Sequence, residues 1–291
     1  WKRSVEIIEK EVLRGGQVYF LHNNVRSIPY YVDKIRSFFP NERVESIHGQ
    51  QNSRALEKNL LAFFSVKISI LVCSSLKGNA VLYYFKYYVG SQNVIFFGEL
   101  EHGALSAAFM TSGQIASILG VILAIPLAGK IGKKNTFLLS GLVCAVLSTL
   151  FFFIPPHQII FIFLINLFIG MSSSIVFPLI WSIYGDISDY SEWKTGRRAT
   201  GLIFSSSSMS QKLGWTIGGA ISGWTLSAFG FVANEIQTDE SIMGIRLMIT
   251  FFAAGGALLS VAFMYYYPLS EDYISEIKEE LEKNRSKTKS N

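Results

Sequence analysis

The chain has 291 residues, of which half are hydrophobic, 14% aromatic and only 16% charged, with a net charge of +5. A charged fraction so far below the roughly 25% of ordinary soluble domains excludes one water-soluble globule of this length. Two cysteines, Cys73 and Cys144, and four scattered histidines give neither a disulfide framework nor metal-ligand spacing, so the cysteines read as reduced core residues.

The first seventy-six residues carry an ordinary soluble mixture of eleven Lys/Arg and seven Asp/Glu. Val5, Ile7, Ile8, Val12 and Leu13 recur at helical spacing before Arg14-Gly15-Gly16. QVYFLHN then reads as a buried strand. Ile28, Tyr31, Val32, Ile35 and Phe38 mark a helix ended by Pro40, and VESIHG reads as a second strand. Arg54 to Phe64 reads as a third helix and ISILVCSS as a third strand, an alternation that predicts a small parallel α/β sheet.

From Lys77 onward the pattern is that of a membrane domain. Asn79 to Val89 is about half a span, and Lys86 among Tyr83, Tyr84, Tyr87 and Tyr88 suits a water interface. Five full segments follow, at Leu105–Leu127, Thr136–Ile154, Ile159–Tyr184, Leu202–Phe229 and Leu247–Tyr267. Each is near the roughly 20 helical residues that cross a bilayer core. If the loops alternate sides, one side collects Lys130, Lys133, Lys134, Lys194, Arg197, Arg198 and the tail lysines. The other collects Glu99, Glu101, Glu235, Asp239 and Glu240, with Arg246 as the exception. The positive-inside rule then puts the basic side, the N-terminal segment and the C-terminus in the cytoplasm, and the net charge calls for no nucleic-acid partner.

Two places in this domain invite chemistry. Lys212, beside Gln211, lies about ten residues into LIFSSSSMSQKLGWTIGGAISGWTLSAFG, hence roughly 15 Å deep at 1.5 Å per residue. A charge there costs several kcal/mol and points to a polar pathway or a partner. In GDISDYSEWKTGRRATG, Asp186, Asp189 and Glu192 precede Lys194, Arg197 and Arg198, charges that could pair and separate at the cytoplasmic face or simply be solvated. Gly214, Gly218, Gly219 and Gly223 read as helix-packing positions. In the tail, Tyr273, Ile274, Ile277 and Leu281 mark an amphipathic helix, either on the membrane surface or solvated.

The words themselves resemble two families. RGGQVYFLHN, ERVESIHGQ, LEKNLLAFF and ILVCSS, in that order, resemble the second motor domain of the transcription-repair coupling factor among superfamily 2 DNA helicases. The resemblance implies an α/β fragment over residues 1–76, with His48-Gly49-Gln50 as a DNA or coupling motif. An ATP-dependent DNA translocase with a membrane tail is thus an alternative, though no G-x-x-x-x-G-K-[ST] loop is present.

GDISDYSEWKTGRRATGLIFSSSSMSQKLGWTIGGAISGWTLSAFGF is similar to the signature of the glycoside-pentoside-hexuronide:cation symporters, a branch of the major facilitator superfamily. VLYYFKYYVG, GKIGKKN and YYYPLSEDYISEIKEELEKN support the likeness. It implies a mainly α, polytopic membrane protein over residues 77–267: a C-terminal six-helix bundle with its first helix cut short. A tail over 268–291 follows. It further implies a transporter and not an enzyme, with no catalytic residue and no metal or other cofactor. Sodium or a proton would be the coupling ion, with a sugar or glycoside as substrate, in a bacterial-type inner membrane. Lys212 and Gln211 would then lie near the coupling site, and Asp186, Asp189, Glu192, Lys194, Arg197 and Arg198 would form the cytoplasmic gate loop. An N-terminal transporter half would have to supply the rest of the pathway.

Overall fold

In a computed structural model of the chain, the residues described are 27–40, 54–94, 98–195, 199–267 and 271–289, with a few positions before residue 45. They divide into one unit up to Ala55 and a second from Leu56 onward. In the first unit Pro29 opens helix α1, Ile28–Phe38, where its fixed φ suits a first turn and its missing N–H costs nothing. The expected strands QVYFLHN and VESIHG, and His48-Gly49-Gln50, lie outside the described residues apart from Val18 and Val44, neither of which is in a strand.

The second unit overturns the expected third strand. Helix α2 runs from Arg54 to Tyr83 and continues through a π-helical turn, Tyr84–Val89, so ISILVCSS is helical. A run holding Ile68, Ile70 and Val72 favours a strand by propensity alone. In lipid, however, a helix satisfies every backbone N–H and C=O within its own segment, and that requirement wins. The span is complete, 27 residues from Phe63 to Val89, and the boundary expected between Leu76 and Lys77 falls in its middle. Among the described residues the strands are β1, Gln92–Val94, and β2, Gly98–Leu100, an antiparallel pair with Asn93 opposite Glu99. No parallel sheet is present among them.

Seven further helices follow: α3 (His102–Ile131), α4 (Lys133–Phe151), α5 (Ile159–Ser174), α6 (Val176–Thr195), α7 (Thr200–Ala228), α8 (Asp239–Leu247) and α9 (Ala253–Tyr265), with a π turn, Met248–Phe252, joining the last two. Helix α10, Glu271–Lys289, ends the described chain. Among the described residues five stretches are long and apolar enough to cross a membrane: Phe63–Val89, α3, α4, the α5–α6 pair and the α8–α9 pair. Helix α7, 29 residues long, has the length for a span but is rich in serine and glycine. The membrane domain is therefore multi-pass and mainly helical. The break between α5 and α6 has a local cause: Pro178 offers no N–H to the carbonyl of Ser174, and the helix is interrupted there.

Close helix approach is made by glycine. A side chain on Gly170 of α5 would put its Cβ 2.6 Å from the carbonyl oxygen of Gly113 on α3. On α7, a Cβ at Gly214 would meet Leu71 at 2.6 Å and one at Gly218 would meet Ser75 at 2.5 Å, while at Gly219 and Gly223 it would meet nothing. The packing expected of the α7 glycines thus holds at two positions, and its partner is α2, the helix expected to be half absent.

Arg246, the charge that broke the pattern of sides, also has a structural account. Its Nη2 donates to the carbonyl of Phe152 at the end of α4 (2.6 Å), and its guanidinium lies 4.3 Å and 4.6 Å from the ring centres of Phe152 and Tyr88. The last carbonyls of a helix have no partner inside it, and a cation there meets both that need and the helix dipole.

Candidate functional site

The described residues hold polar side chains at two levels of the bundle. The deeper level begins with Asn166, a buried amide in the otherwise apolar run IIFIFLINLFIG of α5. Gly113 on the facing helix leaves it room. Its Nδ2 donates to the carbonyl of Phe109 (2.7 Å), which turns Oδ1 toward α2, where it accepts from Lys77 Nζ at 3.0 Å. The ammonium also lies 5.6 Å from the centre of the Phe109 ring. Lys77 is fourteen residues into its span, about 21 Å at 1.5 Å per residue, close to the middle of the membrane core.

Along the same helix, Lys67 Nζ donates to the carbonyl (3.0 Å) and the hydroxyl (2.5 Å) of Ser207 on α7, and that hydroxyl is hydrogen-bonded to Tyr184. Asn79 Nδ2 donates to Ser222 on α7 (3.1 Å). Two cations and an amide thus lie along one span, and their acceptors on Ser207, Asn166 and Ser222 are neutral. Sequence reasoning missed this level because Lys77 and Asn79 were read as the start of a shortened segment. A charged residue 14 positions from one end and 12 from the other end of a 27-residue apolar stretch was the available signal.

The second level is at the basic end. Asp186, near the middle of α6, is 9% exposed and receives two lysines: Lys133 Nζ at 2.6 Å on Oδ2 and Lys278 Nζ at 2.8 Å on Oδ1. Lys133 begins α4 and Lys278 lies on α10, so one carboxylate ties three elements together. The backbone N–H of Lys133 donates to Glu271 Oε1 at the start of α10, and Lys134 Nζ donates to the carbonyl of Tyr267 at 2.7 Å. Helix α10 is held by packing as well. Ile274, Ile277 and Leu281 are buried with Ile187 and Tyr190 of α6, and Trp193 Nε1 donates to Glu280. The apolar stripe of the tail therefore covers the bundle, neither solvated nor free for a lipid surface.

Beside these groups is a half-open cavity of about 350 Å³, lined by Lys133, Lys134, Asp186, Tyr267, Glu271 and Lys278 among others. The Tyr267 hydroxyl is the buried side-chain polar atom without a hydrogen-bond partner among the described residues. Burial, and then the charge of Asp186, push its ionisation well above 10, so it remains an O–H donor.

Of the residues expected at a gate, Asp186 is in this cluster. Asp189 and Glu192 are half-buried further along α6, and Lys194 is exposed with Nζ 5.8 Å from the ring centre of Trp193. Arg197 and Arg198 lie outside the described residues. Gln211 and Lys212 are exposed on α7, with no described side-chain partner. The structure therefore joins Asp186 to Lys133 and Lys278, which the sequence had only counted as loop charges, and leaves Lys212 apart from Lys77. Among the described residues no group of histidine, cysteine and carboxylate side chains is arranged to hold a metal.

A bundle of membrane-length helices with polar groups at mid-depth and an ionic cluster at one end defines a polytopic membrane protein. Comparison with known proteins makes the class specific: residues 18–271 match the MFS/sugar transport protein family, and the chain belongs to it. It is 32% identical to the glucuronide carrier protein homolog of Escherichia coli over 60% of this chain and 38% of that protein. It is 30% identical to the inner membrane symporter YicJ of the same organism over 79% of this chain and 47% of that one. With the isoprimeverose transporter of Lactiplantibacillus pentosus it shares 33% identity over 62% and 40% respectively. The chain spans less than half the length of these relatives. The family match begins at residue 18 and runs across Leu76–Lys77, and nothing in it marks the helicase likeness.

Proposed function

We propose that this chain is the C-terminal part of a sugar or glycoside symporter that works by alternating access. Residues 56–267 belong to its second bundle, and helix α10, Glu271–Lys289, forms a cytoplasmic cap. The observation that carries the reading is the mid-depth level, where Lys77 and Asn166 are bonded across α2 and α5 inside the membrane core. A cation at that depth is costly and is kept where a polar pathway needs it. The first half of the transporter supplies the opposite wall, as expected of folds built from repeated bundles.

The coupling ion is sodium or a proton, and Lys212 and Gln211, exposed on α7, belong to the surface that meets the other half. At the basic end, taken as cytoplasmic, the gate comprises Asp186, Asp189, Glu192 and Lys194, with Arg197 and Arg198. The Asp186 pairs with Lys133 and Lys278 are its closed state. The relatives' names include both an acidic and a neutral glycoside, so the substrate panel must contain both.

The test is uptake into proteoliposomes holding this chain together with the N-terminal half of a relative such as YicJ. Labelled glucuronide and isoprimeverose are offered under imposed sodium or proton gradients. Gradient-driven accumulation of either sugar, lost in Lys77→Met, is expected. Uptake equal to protein-free vesicles under every gradient, from a complex shown to be assembled, would reject the proposal.

A further inference from the structure

We propose that the cavity at the basic end is a binding site for a phosphate-class oxyanion, either the phosphodiester head of an anionic lipid or free phosphate. Its lining holds more hydrogen-bond donors than acceptors. The two carboxylates that line the cavity offer about eight lone-pair sites, of which three are taken: two on Asp186 by Lys133 and Lys278, and one on Glu271 by the backbone N–H of Lys133. An ammonium carries three N–H groups, and Lys133, Lys134 and Lys278 use one each in the bonds described above. Tyr267 belongs to the same lining, and its hydroxyl, buried among the surrounding side chains, uses none. Three lysines against two carboxylates leave the lining with one positive charge in excess.

What the cavity lacks is therefore an acceptor that carries negative charge. A metal ion or an amine would add donors or positive charge to a lining that already has both. A water would satisfy the phenol but not the charge. An oxyanion with several acceptor oxygens meets both, and charge-assisted bonds of this kind are about twice as strong as neutral ones. The volume, about 350 Å³, is within the range of small-ligand sites. Because Lys133, Tyr267 and Lys278 come from α4, the end of α9 and α10, an occupant would hold the tail helix against the bundle. The site is built by this chain alone, so it does not rest on the transport reading.

The test uses the purified full chain in nanodiscs of phosphatidylcholine, with and without phosphatidylglycerol. Thermal unfolding is followed against inorganic phosphate, with chloride at equal ionic strength as control, and lipids retained on the protein are counted by native mass spectrometry. Saturable stabilisation by phosphate identifies the free anion as the source, and selective retention of phosphatidylglycerol identifies the lipid. Either supports the site if Tyr267→Phe and Lys278→Gln each weaken it about tenfold or more, while Lys86→Gln at the other end does not. Tyr267→Phe removes one oxygen and keeps the ring, so it separates loss of the site from loss of the fold. No binding of either probe, or binding that both variants leave unchanged, overturns the proposal and leaves the cavity to water, whatever the uptake assay gives.

Discussion

Asn166 carries the tightest constraint in the membrane core, because its amide is used at both ends. Replacing it with leucine leaves the Lys77 ammonium buried over Phe109 without its acceptor and frees the carbonyl of Phe109. Hydrogen bonds to charged groups contribute about 1.5–3 kcal/mol, so Asn166→Leu is expected to cost about 2 kcal/mol in detergent unfolding. Lys77→Met on top of it should restore part of that loss, since the unpaired charge is gone. Additive losses would show that the two do not interact. Tyr267 gives a second expectation at this scale. Its ionisation is raised above the usual 10 in the folded state by burial and by Asp186, so it binds its proton more tightly folded than unfolded. Its contribution is complete below about pH 10 and is lost as pH rises toward the folded value. Wild type should therefore lose stability above pH 10 more steeply than Tyr267→Phe, measured by unfolding across pH 8–11.

Among elements, the contact of α3 with α5 depends on backbone approach at Gly113, Gly120 and Gly170. Gly170→Val places a branched side chain where even a Cβ would lie 2.6 Å from a carbonyl oxygen, and overpacking of this kind typically costs about 1–3 kcal/mol. Gly219→Ala on α7 meets nothing within 4 Å and should be neutral, or stabilising by up to about 1 kcal/mol through a less flexible unfolded chain. Equal effects at the two sites, read from melting temperature in detergent, would show that glycine acts here through flexibility and not through approach. Helices α3, α4, α5 and α9 were legible in the sequence because uncharged runs of span length have few other solutions. Helix α2 was not. Its run ISILVCSS matches a buried strand in composition, and only the partners Gly214, Gly218 and Gly256, more than a hundred residues away, reveal that its faces are helical. The candidate site divides in the same way. Asp186 was visible as a carboxylate near a basic loop, whereas its lysines come from two elements that no local spacing connects to it.

For the whole molecule the distribution of charge makes one statement that can be tested directly. Lys133, Lys134, Lys194 and Lys278 gather at the end where α4 begins and α6 ends, while Glu99 and Asp239 lie at the ends of other spans. On the positive-inside rule the first end is expected to face the cytoplasm, and Arg246 does not weaken that expectation because its guanidinium is taken up by the carbonyl of Phe152 and two rings. With Cys73 and Cys144 replaced by serine, single cysteines at Glu279, on the exposed face of α10, and at Glu235, in the exposed segment after α7, report the two sides. In intact cells a membrane-impermeant maleimide should label the Glu235→Cys chain and leave the Glu279→Cys chain unlabelled until the cells are opened. The reverse pattern would invert the assignment. It would also remove the reason for placing the Asp186 gate, and the cap formed by α10, on the cytoplasmic side.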